Sequence, residues 1–269
     1  MQLAALNEKL DRLRGVMDDL TPALLAVSGG LDSRLLAHLC WEWEHDVEAV
    51  FFRGVHVSPS DASWARAWLH DSGQPYHVLS FNPVSNPKVY ANCRLRCYYC
   101  KTACFSKARY LANERSIPYL LDGSNVSDTE EYRPGRQALL ELDVQSPFVL
   151  AGMTKDDIRA AARLTKLERP NQPSRPCLLT RLEYGIPPSE ECLARLGLAE
   201  DALCRMGLRQ FRLRVTRSGA ALHIAREEAA TWYAIRDWAM ARLVEEGFED
   251  VGVVFTTRLS GFFDRNKDK

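Results

Sequence analysis

The segment Ser28-Gly29-Gly30-Leu31-Asp32-Ser33 and a group of cysteines are the residues whose types and spacing carry chemistry in this chain. Adjacent glycines let backbone N–H groups close around phosphate oxygens, and a helix beginning just after them adds positive potential. Ser28 and Ser33 supply hydroxyl donors, although the lysine of a Walker motif is missing. Asp32 reads either as a Mg²⁺ ligand or as a helix cap, and the loop has the plainer reading of a structural turn. Of the eight cysteines, Cys93, Cys97, Cys100 and Cys104 fall within twelve residues. Reduced and clustered, they read as metal ligands or catalytic thiols before they read as disulfides. On one helix the four share a face, but a straight helix spreads them over roughly 16 Å at 1.5 Å rise per residue. That is too wide for four ligands at about 2.3 Å from one zinc ion. Cys97 and Cys100 with a distant third ligand remain. Cys177, in Pro173-Ser-Arg-Pro-Cys-Leu-Leu-Thr-Arg181, is that ligand, an independent nucleophile or an inert loop residue. Arg175 and Arg181 nearby would favour its thiolate, whose thiol starts near a pKa of about 8.5. Three thiolates around an open corner suit an iron-sulfur cluster, and four suit zinc or a closed cluster. Cys40, Cys192 and Cys204 read as ordinary small apolar residues.

These residues need elements to position them. The apolar run Ala23 to Val27 has the length of a buried strand, and the glycine turn leads into a helix from about Asp32 to Trp43. Val47 to Phe52, Tyr76 to Leu79 and Tyr119 to Leu121 read as further strands. Between them, one helix opens at Ser60 and carries Trp64 and Trp68 on one face, and another runs from the cysteines to about Ser116. Strands alternating with helices imply a parallel sheet with helices on both faces, whose ligands bind beyond the carboxyl ends of the strands. Three loops fall there: Ser28 to Ser33, Arg53 to Pro59, and Asp122 to Gly135. Thr154 with Asp157 reads as a capping box for a helix ending near Leu164, and the prolines between Pro170 and Pro188 make that stretch irregular. Beyond it, a hairpin around Ser218-Gly219, a helix from about Glu227 to Glu246 and a strand Val251 to Thr256 form a small α+β domain. In that helix Trp232, Ile235, Ala239 and Leu243 line a core face. The expected division is 1–188 for the α/β domain and 189–269 for the small domain, which would serve substrate binding or oligomerisation.

With 269 residues, the chain is long enough to bury a core in both parts. Its 35 basic residues balance its 35 acidic ones, which argues against nucleic acid or a membrane surface as an obligatory partner. No apolar run approaches the roughly 18 residues of a membrane span, and Met1 to Leu20 is charged and amphipathic, so a cytoplasmic location is expected.

The loop Ser28 to Ser33 after a buried strand resembles the signature of the PP-loop ATP pyrophosphatases, a group that includes GMP synthetase, NAD synthetase and tRNA-thiolating enzymes. Arg34 stands where that group more often has Ser or Thr. The resemblance implies that ATP loses pyrophosphate as a substrate oxygen takes the AMP, leaving an adenylate open to a nucleophile such as sulfur. Asn92 to Lys101, Asp122 to Asn125 with Tyr132 to Gly135, Gly152 to Lys155 with Ile158-Arg159, and Pro173 to Gly185 resemble the LarE family of sulfur transferases in order and spacing, over about residues 23 to 188.

That family acts in making the nickel-pincer nucleotide cofactor: a pyridinium carboxylate mononucleotide is adenylated and its carboxylate becomes a thiocarboxylate. Some members sacrifice a cysteine to dehydroalanine, whereas others hold a [4Fe-4S] cluster on three cysteines, a pattern that Cys97, Cys100 and Cys177 match. The resemblance further implies ATP with Mg²⁺ at Ser28, Gly29, Gly30, Asp32, Ser33, Gly123 and Asn125, and a homo-oligomer. Sulfide or another sulfur donor is the implied second substrate. Arg212 and Arg214 match the positions of its substrate-phosphate arginines, with a solvated strand face as the plainer reading. Ala225 replaces an acidic residue, and Thr257 to Gly261 departs from the family's glycine-rich closing motif. A tRNA thiolase and a non-catalytic metal-binding module are the competing functions.

Overall fold

The computed structural model describes residues 2–130 and 134–265. Tyr132 and Arg133, part of one segment that resembles LarE, lie outside the described residues. The chain divides into two compact units: residues 1–53, 63–81 and 97–174 form the first, and 54–62, 82–96 and 175–269 the second.

The first unit is built on α1 (Gln2–Asp19), β1 (Ala23–Ala26), α2 (Leu31–Glu42), β2 (Val47–Arg53), most of α3 (Pro59–Asp71) and β3 (Tyr76–Ser80). It also holds nearly all of α5 (Arg96–Glu114), which follows the short α4 (Pro87–Tyr90) in the chain. The unit continues with β4 (Tyr119–Leu121), α6 (Gly135–Glu141), β5 (Val144–Gln145), α7 (Pro147–Leu150) and α8 (Lys155–Leu164). Its five strands are all parallel in the order β3-β2-β1-β4-β5. Because side chains alternate along a strand, Leu24, Val50, Leu120 and Val144 share one face, where they pack with Phe105, Ala108 and Ala112 of α5 and Leu139 of α6. Leu25 and Phe51 point the other way and are buried as fully, with α2 packed on β1 and β2. The sheet is thus flanked by helices. Strand order reverses between β1 and β4, and this makes the space beyond their carboxyl ends the natural ligand crevice.

The second unit carries α9 (Glu190–Arg205) and a three-stranded sheet of β6 (Phe211–Thr216), β7 (Gly219–Ala225) and β8 (Val251–Thr256) in the order β6-β7-β8. The hairpin β6–β7 is antiparallel, and its tight turn needs Gly219 at φ +125°. The pair β7–β8 is parallel, so a crossover is required, and α10 (Ala229–Glu245) supplies it while burying Trp232, Ala239 and Leu243.

Three local readings need correction. Cys93 precedes α5 and is exposed, so the four cysteines do not share a helix face. The two-residue strand β5 and the whole of α9 have no counterpart in the sequence reading. The signal for α9 was present in the Ser189 N-cap, which accepts from Cys192 N at 3.0 Å, and in two glutamates of the first turn. No described helix is long and apolar enough to cross a membrane.

Candidate functional site

The loop after β1 is built for close backbone approach. Gly29 has φ +80°, and a Cβ there would lie 2.7 Å from Ala65 Cβ, so only glycine fits. Ser28 and Ser33 tie the loop across its mouth: Ser28 N donates to Ser33 Oγ at 3.1 Å, and the two hydroxyls are 3.2 Å apart. Gly30 is the N-cap of α2 and has no side chain to bond the first helical N–H groups, which leaves them to an anion. The loop after β4 closes against this turn. A Cβ on Gly123 would come within 2.8 Å of Ser33 N, so the glycine is what lets the two strand-end loops touch.

Asp32 lies in the first turn of α2, and its two oxygens go to Lys155 Nζ and to Asn125 Nδ2 at 3.2 Å. The side chain is therefore turned across the crevice instead of capping its own helix. Burial pushes its carboxyl above the ordinary value, more than the charge of Lys155 pulls it back. Asn125 is only 1% exposed; its Nδ2 also donates to Asp128 Oδ2 at 3.0 Å, while its Oδ1 has no hydrogen-bond partner. Asp32 and Asp128 are thus brought to the same amide nitrogen, and two neighbouring carboxylates are hard-oxygen donors of the kind that suit Mg²⁺. Lys155 and Asp128 are site residues the sequence reading left without a role. Lys155 stood in a quoted segment, directly after the Thr154 cap that the structure bears out as a full capping box.

Beside this network, Asp122 at the end of β4 accepts from Ser124 Oγ and Ser146 Oγ, each at 2.6 Å, and is paired with Lys101 at 3.5 Å. Lys101 follows Cys100 directly on α5. Cys97, Cys100 and Cys104 are half-buried on that helix. Burial pushes the Cys104 thiol far above its usual range, so it stays protonated. Cys97 and Cys100 lie three positions apart on α5, and among the described residues no three His, Cys, Asp or Glu side chains are gathered as a metal-holding group.

In the second unit Cys177 is the N-cap of a single 3₁₀ turn, Leu178–Arg181. Leu178 N donates to His56 O at 2.9 Å. Arg175 and Arg181, expected to activate the thiol, anchor its loop. Arg181 forms a two-pronged bond with Glu200 at 2.7 and 2.8 Å. Arg175 lies 3.2 Å from Asp61 and 3.6 Å from Asp201, and donates to Cys204 Sγ at 3.1 Å. Cys204 is thereby a hydrogen-bond acceptor and half-buried, as Cys192 is half-buried, whereas Cys40 fits the apolar reading with its thiol pushed by burial to about 12.

A second anchor lies on the segment before α5. Asn92, at φ +47°, donates from Nδ2 to Glu183 O at 2.8 Å and to Ile186 O at 2.7 Å. Arg96 bonds Asn92 Oδ1 and Leu182 O, with its guanidinium over the Tyr184 ring. The residues just before Cys97 are thus tied to those a few positions after Cys177.

Arg212 and Arg214 on β6 are 6% and 4% exposed, which excludes the solvated-face reading. The Arg214 guanidinium stacks on Phe262 at 4.7 Å and donates to Leu259 O, so the departing segment Thr257 to Gly261 still serves this arginine. Its Nε is buried with no hydrogen-bond partner. Burial, and then the neighbouring Arg181, push Arg212 down to about 9 and Arg214 to about 10. Leu213 N, between them, donates to Glu200 Oε1 at 2.9 Å. Arg175, Arg181, Arg212 and Arg214 thus lie near the carboxylates of Glu200, Asp201 and Asp61, with Arg181 holding both oxygens of Glu200.

A glycine turn at the switch point of a parallel sheet, with a carboxylate–lysine pair beside it, defines an α/β protein whose candidate site lies beyond the carboxyl ends of its strands. No protein-family profile matches the chain. It is 31% identical over 253 residues to the uncharacterized protein slr1717 of Synechocystis, covering 94% of this chain and 93% of that one. It is also 29% identical over 180 residues to the uncharacterized protein MJ0830 of Methanocaldococcus jannaschii, 67% of this chain and 68% of the other. Against the pyridinium-3,5-bisthiocarboxylic acid mononucleotide synthase of Lactiplantibacillus plantarum the identity is 24% over 262 residues, 97% and 94% of the two chains. The chain belongs to the LarE-like family that includes the Synechocystis protein.

Proposed function

We propose that this protein is an ATP-dependent sulfur transferase that adenylates a pyridinium carboxylate mononucleotide and converts the carboxylate to a thiocarboxylate, in nickel-pincer cofactor synthesis or a related pathway. The observation that carries the reading is the crevice beyond β1 and β4, where the glycine turn, the uncapped N-terminus of α2, Asp32 and Lys155 converge. The printed name of the Lactiplantibacillus relative, a synthase of a bisthiocarboxylic acid mononucleotide, supports the substrate class.

The substrate carboxylate attacks the α-phosphorus of ATP, and the bond from that phosphorus to the bridging oxygen breaks, so pyrophosphate leaves with the electron pair. Sulfide then adds to the acyl carbon and AMP leaves with the former carboxylate oxygen; where a cysteine thiol adds instead, the resulting thioester loses its cysteine α-proton and its Cβ–S bond breaks, which frees the thiocarboxylate and leaves dehydroalanine. The N–H groups of Gly30 and the first turn of α2 offset charge on the departing pyrophosphate. Lys155 does the same from the other wall. Asp32 and Asp128 would hold Mg²⁺, which neutralises phosphate charge when bound. The orphaned Nε of Arg214, with Arg212 two positions along the same strand, supports a mononucleotide phosphate there.

Cys97, Cys100 and Cys177 supply the thiols of the sulfur step, and a [4Fe-4S] cluster is the form of carrier that the three-cysteine pattern implies. Because the described residues gather no group of three ligands, no step is assigned to a cluster. The test is pyrophosphate release with nicotinic acid mononucleotide as substrate. Wild-type protein releases it, and Asp32→Ala abolishes release with the fold retained; equal release by that variant places the nucleotide elsewhere. Anaerobic protein is expected to hold iron and sulfide that Ala at Cys97, Cys100 or Cys177 removes and Cys40→Ala spares. Dehydroalanine at position 177 after one turnover instead establishes self-sacrifice, and zinc without iron makes the site structural.

A further inference from the structure

Arg34 is the one position of the nucleotide loop that departs from the pattern the loop resembles, and it is 0% exposed. A buried guanidinium needs partners for its donors, and the partners here are specific. Nη1 donates to Glu168 O at 2.8 Å, Nη2 to Gln172 Oε1 at 2.7 Å, and Nε to Gly29 O at 3.3 Å. Its plane lies over the Trp64 ring at 4.4 Å, with Trp68 at 5.6 Å, which fixes its orientation. Gln172 closes the circuit: its Nε2 donates to the same Gly29 oxygen at 3.3 Å. All of these residues belong to the first unit.

The carbonyl they hold controls the cradle. In a trans peptide the C=O of Gly29 and the N–H of Gly30 point in opposite directions from one plane. Two glycines in a row let that plane flip at little steric cost, so the turn by itself does not fix which way the N–H faces. Two donors on Gly29 O settle it: the carbonyl is held toward Arg34 and Gln172, and the Gly30 N–H is left facing Ser28 Oγ, at a long 3.3 Å, inside the loop mouth. Arg34 itself is sealed from any ligand.

We infer that Arg34 and Gln172 are positioning residues that hold the Gly29–Gly30 peptide in the orientation which binds the β,γ-phosphates. The inference rests on the ATP reading given above, and it extends that site to a segment, Glu168 to Gln172, whose sequence gives no hint of a phosphate role. Fixing the cradle before binding removes a reorganisation that the anion would otherwise have to drive.

The experiment is calorimetric titration of full-length protein with Mg²⁺-pyrophosphate, Mg²⁺-ATP and AMP, alongside thermal melting. Gln172→Glu keeps an acceptor for Arg34 but sets a second acceptor against Gly29 O, and Gln172→Leu removes both contacts. Each is expected to weaken pyrophosphate and ATP by about tenfold, the scale of one hydrogen bond, with AMP affinity nearly unchanged; the melting temperature stays near wild type in Gln172→Glu and falls in Gln172→Leu, which leaves Arg34 Nη2 without its partner. Arg34→Lys, which keeps the charge and loses the planar fork, is expected to weaken them at least as much. If wild type binds pyrophosphate and both Gln172 variants bind it equally well, the positioning role is overturned and the ATP site stands. Equal weakening of AMP and pyrophosphate, or a large drop in melting temperature in both Gln172 variants, overturns it in favour of a general structural role. If wild type binds neither ATP nor pyrophosphate, the ATP reading falls and the inference with it.

Discussion

Replacing Arg212 by Met should separate binding from stability in the second unit. Methionine keeps most of the buried stem and removes the charge. Arg212 and Arg214 are both buried on β6 beside Arg181, which already holds both oxygens of Glu200. Arg212 and Arg214 are held below the free guanidinium value of 12.5, at about 9 and 10, first by burial and then by Arg181. A base whose folded pKa is depressed binds fewer protons in the folded chain between the two values, so stability rises with pH through that window. At neutral pH both groups are charged and the cost is borne in full. Arg212→Met is therefore expected to melt no lower than wild type without ligand.

With ligand the order reverses. At about 100 times Kd a one-site ligand adds roughly 2.7 kcal/mol, or about 5–10 °C at roughly 2–4 °C per kcal/mol for a chain of this size. Loss of one charge-assisted contact, about 1.5–3 kcal/mol, weakens binding about 10- to 100-fold. The same ligand concentration then adds only about 0.4–1.4 kcal/mol. The assay is scanning calorimetry with and without nicotinic acid mononucleotide. An equal ligand-induced shift in Arg212→Met, or a variant much less stable without ligand, refutes the argument that this buried cation is kept for a ligand.

Glu200→Gln should be the most damaging single change in the same unit, at about 3–5 kcal/mol by denaturant titration, because it leaves Arg181 buried and unpaired. Burial alone would raise the Glu200 carboxyl, but the charge and hydrogen bonds of Arg181 outweigh it and hold it below 4.5. Its stabilising contribution is accordingly complete above about pH 4.5 and lost as pH falls through the folded value, so wild type but not Glu200→Gln should lose this increment in acid melts. Asn92→Ala removes two hydrogen bonds to the 183–186 segment, and should cost about 1–3 kcal/mol while lowering sulfur transfer more than pyrophosphate release in the paired assays. Equal loss of both activities would make Asn92 a general fold residue.

The glycine turn after β1 was legible because its requirements are local. A glycine at φ +80°, a second glycine and flanking hydroxyls form a turn whose chemistry lies within six residues, and the buried strand before it is visible as an apolar run. The strands β1 to β4 and the hairpin β6–β7 were readable for the same reason, since period and turn residues are short-range signals. The strand β5 was not, because two residues carry no period. Lys155 was not assigned either, because the sequence places it 123 positions from Asp32 and nothing local announces an ion pair.

What the sequence by itself determined is the inventory: a double-glycine turn after a buried strand, a parallel α/β sheet, cysteines three apart on one segment and another cysteine far along the chain, and two arginines on one strand face. Tertiary structure decided what the charges do. Arg34 became the holder of a carbonyl instead of a gap in a hydroxyl pattern, and Arg175 and Arg181 became anchors of the Cys177 loop. Arg212 and Arg214 became buried cations instead of a wet strand face. The physical reason is that a long charged side chain has no fixed meaning in sequence. Its role depends on which distant oxygens lie within about 3 Å once water is excluded, and only the folded chain sets those distances.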